Sequence, residues 1–212
     1  MIIAVDGPAG AGKSTIAKKI AKQLGIYYLD TGAMYRALTF FVLMHKVHLD
    51  NIEEIRQLLD VFDLRITEDR VFIGERDVTV EIRSEEVTKH VSYISSLDFV
   101  RKKMVEVQRE IGKNRDIVAE GRDIGSVVFF DAQYKFYLDA SVEERARRRM
   151  KDEKNPDTAQ DLSSMIEKIR KRDAYDSSRE LSPLKMAPDA FYIDSTHMTI
   201  DEVCNIIIKK VH

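Results

Sequence analysis

Cysteine is almost absent from this sequence: Cys204 is the single example in 212 residues. That excludes an intrachain disulfide and a multi-cysteine zinc site, and it suits a reducing compartment. Cys204 itself reads as a small apolar helix residue. Histidine is scarce too, and His45, His48, His90, His197 and His212 are scattered with no pair at zinc-ligand spacing. They are expected at the surface or satisfied by neighbours. No apolar run approaches the length needed to span a bilayer. The start MIIAVDG lacks a basic segment and reaches glycine within seven residues, so it reads as a first strand and not a secretory signal. A cytoplasmic protein is the expectation. Charge of one sign is also missing. The 34 Lys and Arg nearly balance 36 Asp and Glu, giving a formal net charge of −2, so there is no general pull toward nucleic acid or membrane and any cationic site must be local.

Hydrophobic side chains make up 44% of the chain, enough to bury one substantial core at this length, and a single domain over 1–212 with insertions is the default. Apolar runs of strand length alternate with longer segments of helical period, the pattern of an α/β fold whose parallel sheet is covered by helices on both faces. Five core strands are predicted near Ile2 to Val5, Tyr27 to Leu29, Ile117 to Ala119, Tyr134 to Leu138 and Phe191 to Ile193. Between about 51 and 91 the alternation breaks. There VFDLRIT, RVFIG and RDVTVEI predict a small antiparallel insert. A second unusual segment, about 143–161, crowds basic residues on a helix end before a break at Asn155 and Pro156 and reads as a lid.

Gly7 to Ser14 spells GPAGAGKS, which satisfies G-x-x-x-x-G-K-[ST] with an apolar strand before it and a helical segment after it. In such a P-loop, Gly7, Pro8, Ala9, Gly10, Ala11 and Gly12 curl so that backbone N–H groups face a phosphate, aided by the helix N-terminus that carries Thr15. Lys13 then reaches the β and γ phosphates of ATP, and the Ser14 hydroxyl ligates Mg²⁺. GTPases and motor ATPases share this cradle. The guanine motif N-K-x-D and the switch D-x-x-G are both missing, which disfavours a switch protein.

The acceptor side must therefore name the reaction. LDTGAMYR places Thr31 and Arg36 after the second strand, near the ligand crevice of this architecture; a helix cap and a solvated arginine are the alternatives. EGRDIGSVVF sets Glu120, Arg122 and Asp123 at a strand end. Arg122 suits a phosphate fork, Asp123 a hydrogen-bond acceptor for base or sugar, and Glu120 could orient water around Mg²⁺, unless all three form a structural ion-pair network. Arg172, Asp176 and Arg179 are spaced to share one helical face, where they could simply pair with each other. ERARRRM supplies Arg145, Arg147, Arg148 and Arg149, either a solvated face or mobile cations that close over phosphates.

GPAGAGKS, LDTGAMYR, EVTKHVSYISS, the VR ending at Arg101, EGRDIGSVVF, LDASVEERARRR, KRDAYDSSRE and the late IDST together make the chain similar to the bacterial cytidylate kinases, a family of P-loop nucleoside monophosphate kinases. The resemblance runs over nearly the full length. It implies an α/β core, a mobile lid, a long acceptor-binding insert containing a small sheet, and phosphoryl transfer from ATP to CMP and dCMP. It assigns Ser92, Arg101 and Asp123 to the cytosine edge, Arg36, Arg122 and Arg172 to the acceptor phosphate, Asp176 to the sugar, and Arg179 to the phosphates. Thr31 stands where the family often has serine. On this reading Lys13, Arg122, Arg172 and Arg179 carry the catalytic charge, and Arg148 joins the ATP site. Small-molecule substrates and a monomer are expected, with no nucleic-acid or membrane partner. Transfer to UMP or another small molecule, and a P-loop ATPase module, are the alternatives.

Overall fold

The computed structural model describes residues 1–67, 69–152 and 161–211. The chain divides into two compact units, Met1–Asp30 with Gln108–His212, and Thr31–Val107.

The first unit is built on β1 (Ile2–Asp6), β2 (Tyr27–Asp30), β6 (Ile117–Gly121), β7 (Tyr134–Asp139) and β8 (Phe191–Asp194). They form one sheet in the order β2-β6-β1-β7-β8, and every pairing is parallel. All five predicted strands are present. A strand inside a parallel sheet is covered on both faces, which is why β1 and β6 read as unbroken apolar runs. Their apolar character stops at the carboxyl ends, where β1, β2, β7 and β8 finish on Asp6, Asp30, Asp139 and Asp194, and β6 carries Glu120.

Helix α1 (Lys13–Leu24) buries Ile16, Ala17, Ile20 and Ala21, a spacing that puts one face on the sheet. Helix α8 (Ile200–Val211) adds Val203, Cys204, Ile207 and Val211 to the same core. Cys204 is buried there as a small apolar residue. Helix α6 (Val142–Lys151) starts at Ser141, whose side chain accepts from the Glu144 N–H. It packs through Val142, Ala146 and Met150 on Met165, Ile166 and Ile169 of α7 (Leu162–Ser177). Of the lid expected over 143–161, residues 153–160, including Asn155 and Pro156, lie outside the described residues.

The second unit holds α2 (Thr31–Met44), α3 (Ile52–Asp60), α4 (Glu85–Ile94) and most of α5 (Asp98–Gly112). Beside them lies a three-stranded antiparallel sheet, β3 (Leu64–Ile66), β4 (Val71–Ile73) and β5 (Arg76–Asp77). Ala33 and Ala37 leave room for Val71, Val78 and Ile82 to pack, with Phe40, Phe62 and Leu64 at the margin. The antiparallel patch is where the apolar alternation broke, but its third segment differs from expectation. Only Arg76–Asp77 of RDVTVEI is strand, and Glu81–Arg83 is a 3₁₀ turn. The Asp77 carboxylate accepts from both the N–H (3.0 Å) and the hydroxyl (2.6 Å) of Thr79, and this local turn ends the ladder before its alternation can continue.

Candidate active site

The loop from Gly7 to Gly12 connects β1 to α1 and takes the P-loop shape that its glycines permit. Gly7 allows a close approach: a Cβ there would lie 2.0 Å from the Leu138 carbonyl oxygen of β7. Lys13 opens α1 and is buried, with Nζ donating to the Pro8 carbonyl at 2.8 Å. Burial and then the Arg122 guanidinium pull its pKa down to about 7, with Glu120 acting in the opposite direction. Ser14 donates from Oγ to Glu120 Oε1 at 2.5 Å. Glu120 is pushed above its usual value by burial and by Asp30, its register partner on β2. Hydroxyl and carboxylate thus stand side by side at the start of α1.

Next to this pair is a cluster in which three guanidiniums share one carboxylate. Arg122 donates from Nε to Asp176 Oδ2 at 3.0 Å, and Arg179 pairs with Asp176 Oδ1. Burial drives the Asp176 carboxyl up, but Arg122, Arg179 and Arg172 together hold it below its usual value. Burial likewise opposes the charge on Arg122, and Asp176 outweighs it. Arg172 is pulled down to about 10 by burial and by Arg122, and its buried Nε has no hydrogen-bond partner among the described residues. Three half-buried guanidiniums gathered at one carboxylate suit an anion. The expected single helical face for Arg172, Asp176 and Arg179 needs correction: α7 ends at Ser177 with Ser178 as its C-cap, so Arg179 lies beyond the helix. It still pairs with Asp176 three residues earlier, the local partner that the spacing offered.

Asp123 is buried directly before a π-helical turn, Ile124–Val128, and its carbonyl accepts from Val127 (2.9 Å) and Val128 (3.1 Å). Both ends of that turn are held. Asp6 accepts the N–H groups of Ile124 (2.8 Å) and Gly125 (2.7 Å), while Arg109 donates to the carbonyls of Val127 and Val128, each at 2.8 Å. Burial raises the Asp6 pKa to about 7, against the pull of its two backbone hydrogen bonds. Asp6 was not anticipated as a site residue; an acid interrupting an apolar strand just before the P-loop is the signal that could have found it.

The four arginines of α6 have different fates. Arg148 donates to Glu144 Oε1 (3.0 Å), to the Ala11 carbonyl (3.3 Å), to Ser195 Oγ (3.0 Å) and to the Ser195 carbonyl (2.6 Å), so it lies against the P-loop. Arg145 is buried and donates to the P-loop carbonyl of Ala9 at 2.9 Å. Arg147 is exposed, 3.9 Å from Glu144, and Arg149 lies 3.9 Å from Asp152.

Within the second unit, Thr31 is the buried first residue of α2, inside the helix and not ahead of it as a cap. Arg36 donates to Thr88 Oγ1 at 2.9 Å. Arg101 is buried in α5, donates to the Ser95 carbonyl at 3.0 Å and lies 5.1 Å from the Tyr35 ring centroid. Ser95 Oγ in turn donates to the carbonyl of Ser92 at 3.1 Å. Ser95 therefore links Ser92 and Arg101, a role that a serine within YISS gave no means of foreseeing. No group of three or more His, Cys, Asp or Glu among the described residues could hold a metal ion, and no helix among them is long and apolar enough to cross a membrane.

A parallel sheet, a P-loop and an adjacent arginine cluster define a kinase of the P-loop class. Its fold is similar to that of a shikimate kinase from Bacteroides thetaiotaomicron, with TM-score 0.50 and 12% identity over 100% of this chain and 98% of that one. It also resembles an uncharacterized protein from Eubacterium ventriosum, with TM-score 0.55 and 14% identity over 100% and 98%. The cytidylate kinase family model matches residues 3–212. A cytidylate kinase of Acholeplasma laidlawii is 46% identical over 209 residues, 99% of this chain and 94% of the relative, and one of Streptococcus pneumoniae is 48% identical over 206 residues, 95% and 92%. The chain belongs to the cytidylate kinase family.

Proposed function

We propose that this enzyme transfers the γ-phosphoryl group of ATP to CMP and dCMP, giving ADP with CDP or dCDP. The observation that carries the reading is the cluster of half-buried Arg122, Arg172 and Arg179 around the single buried Asp176, on the same unit as Lys13. An acceptor phosphate oxygen is already anionic near neutral pH and needs no side-chain nucleophile, so positioning and charge stabilisation do most of the work. Lys13 faces the β and γ phosphates of the donor, and Arg122, Arg172 and Arg179 stabilise charge on the transferring and acceptor groups. Ser92, Arg101 and Asp123 carry the hydrogen-bonding chemistry for the cytosine edge, Arg36 and Thr31 serve the acceptor phosphate side, and Asp176 the sugar. Arg148 serves ATP, and basic residues of α6 form the root of a lid.

The adjoining Ser14 hydroxyl and Glu120 carboxylate fit Mg²⁺, a hard cation that takes few protein oxygens and completes its shell with phosphate and water. Ser14 would ligate it directly and Glu120 through water; when bound it neutralises charge on the donor phosphates. A cytoplasmic monomer completes the proposal. A coupled assay with CMP, dCMP, UMP and AMP tests it. Turnover should be fastest with CMP and dCMP. Equal or faster turnover with UMP or AMP would refute the acceptor assignment, and ATP consumption with no phosphorylated product would favour an ATPase module.

A further inference from the structure

Backbone N–H groups of a P-loop ordinarily face phosphate, yet the N–H of Ala9 is held by a carboxylate: it donates to Asp173 Oδ1 at 3.0 Å. The carbonyl of the same residue accepts from Arg145 Nη1 at 2.9 Å. Arg145 and Asp173 are themselves an ion pair, Nη1 to Oδ2 at 2.5 Å, and Arg145 Nε donates to the Ala140 carbonyl at 2.9 Å. One ion pair, buried at Arg145 and half-buried at Asp173, therefore holds both polar groups of a loop residue. The approach is close enough to dictate the neighbouring residue as well. Gly10 has φ +78, and a Cβ on it would lie 2.8 Å from the Arg145 carbonyl oxygen.

We infer that Arg145 and Asp173 are positioning residues that fix the P-loop at Ala9 and, through it, set the distance between Lys13 and Arg172, the residue immediately before Asp173 on α7. Asp173 adjoins Arg172, and Asp176 lies one helical turn further along α7. Arg172 is close enough to Lys13 to lower its pKa. Pinning α7 to the loop thus couples the geometry of the donor cradle to that of the arginine cluster. Both members of the pair are committed to protein groups, which makes them supports for the phosphate-binding residues and not phosphate ligands. Displacing catalytic groups by about 1 Å costs about a hundredfold in rate, so an indirect contact of this kind carries a kinetic effect.

The inference rests on the P-loop serving as the ATP cradle, and Lys13→Ala serves as the control for that premise. Asp173→Asn keeps the shape but removes the charge facing Arg145; Arg145→Lys keeps the charge but cannot serve Ala9, Ala140 and Asp173 together from one planar fork. Steady-state kinetics are measured well below the melting temperature of each variant. The expected result is kcat reduced about tenfold or more and KM for ATP raised severalfold, with KM for CMP within about twofold of the parent. The double variant should be no worse than about twofold below the poorer single, because the two side chains act as one unit. A merely structural role would lower the melting temperature and the active fraction without moving KM for ATP alone. Unchanged KM for ATP in the folded variants, equal changes for both substrates, or fully multiplicative losses would overturn the inference. If Asp173→Asn does not fold, Arg145→Lys decides by the same criteria. Normal kinetics in Lys13→Ala would instead remove the cradle premise.

Discussion

Protonation of Lys13 should couple ATP binding to pH. The protein's own groups place this lysine at about 7 against a usual 10.5, through burial first and then Arg122 and Arg172, with Glu120 and Asp6 pulling the other way. At about 1.36 kcal/mol per pH unit that difference amounts to about 5 kcal/mol, an upper bound on what the charged form costs before phosphate arrives. The sign follows from proton counts. Between pH 7 and 10.5 the unfolded chain keeps a proton that folded Lys13 releases, so this residue's contribution to stability rises with pH across that window and is least favourable below 7. A triphosphate supplies the missing negative charge and drives Lys13 back toward its protonated form. At pH 8.5 binding should take up about one proton, and the affinity for ATP should weaken about tenfold per pH unit from about 7.5 to 9.5. Isothermal titration in two buffers of different ionisation enthalpy reads the proton directly. Lys13→Met, which fills similar volume without a charge, should abolish most of the uptake. No buffer dependence in the parent would refute the reasoning, and so would the same uptake in Lys13→Met, which would assign the proton to Asp6 or Glu120.

Asp123→Ala should narrow the ratio of kcat/KM for CMP over UMP by at least about tenfold, because cytosine offers an amine donor where uracil offers a carbonyl; an unchanged ratio in a folded variant would remove Asp123 from base reading. Lys13→Ala should fold with a normal thermal transition and lose turnover by about a hundredfold or more, which a coupled assay at saturating CMP measures. Asp6→Asn replaces two acceptor positions with one acceptor and one donor facing the N–H groups of Ile124 and Gly125; urea unfolding should show a loss of about 1–3 kcal/mol, and no loss would mean the turn is held by Arg109 alone. Ile20→Ala, in the core between α1 and the parallel sheet, should cost about 2–5 kcal/mol in the same assay, since Ile20 is fully buried.

What the sequence determined by itself was whatever depends on neighbours along the chain. The five strands announce themselves because strands covered on both faces need unbroken apolar runs, and the P-loop because its turn demands glycines at fixed offsets before Lys13 and Ser14. The charges closing each strand were legible too, since an acid or arginine at the end of a buried run needs a partner. The identity of that partner was not. Which strands flank β1, and hence that Glu120 meets Ser14 while Asp6 meets the turn after Asp123, follows from the order β2-β6-β1-β7-β8. The same holds for Arg145, one of four similar arginines on α6, which only burial and the proximity of Asp173 separate from its exposed neighbour Arg147. Arg179 shows the converse, since the helix that its spacing suggested ends before it, yet its pairing with Asp176 is the local one that the spacing allowed. Local pattern determines which face of an element is buried; choice among many possible charge partners is a long-range matter, settled only when desolvation makes one pairing far cheaper than the rest.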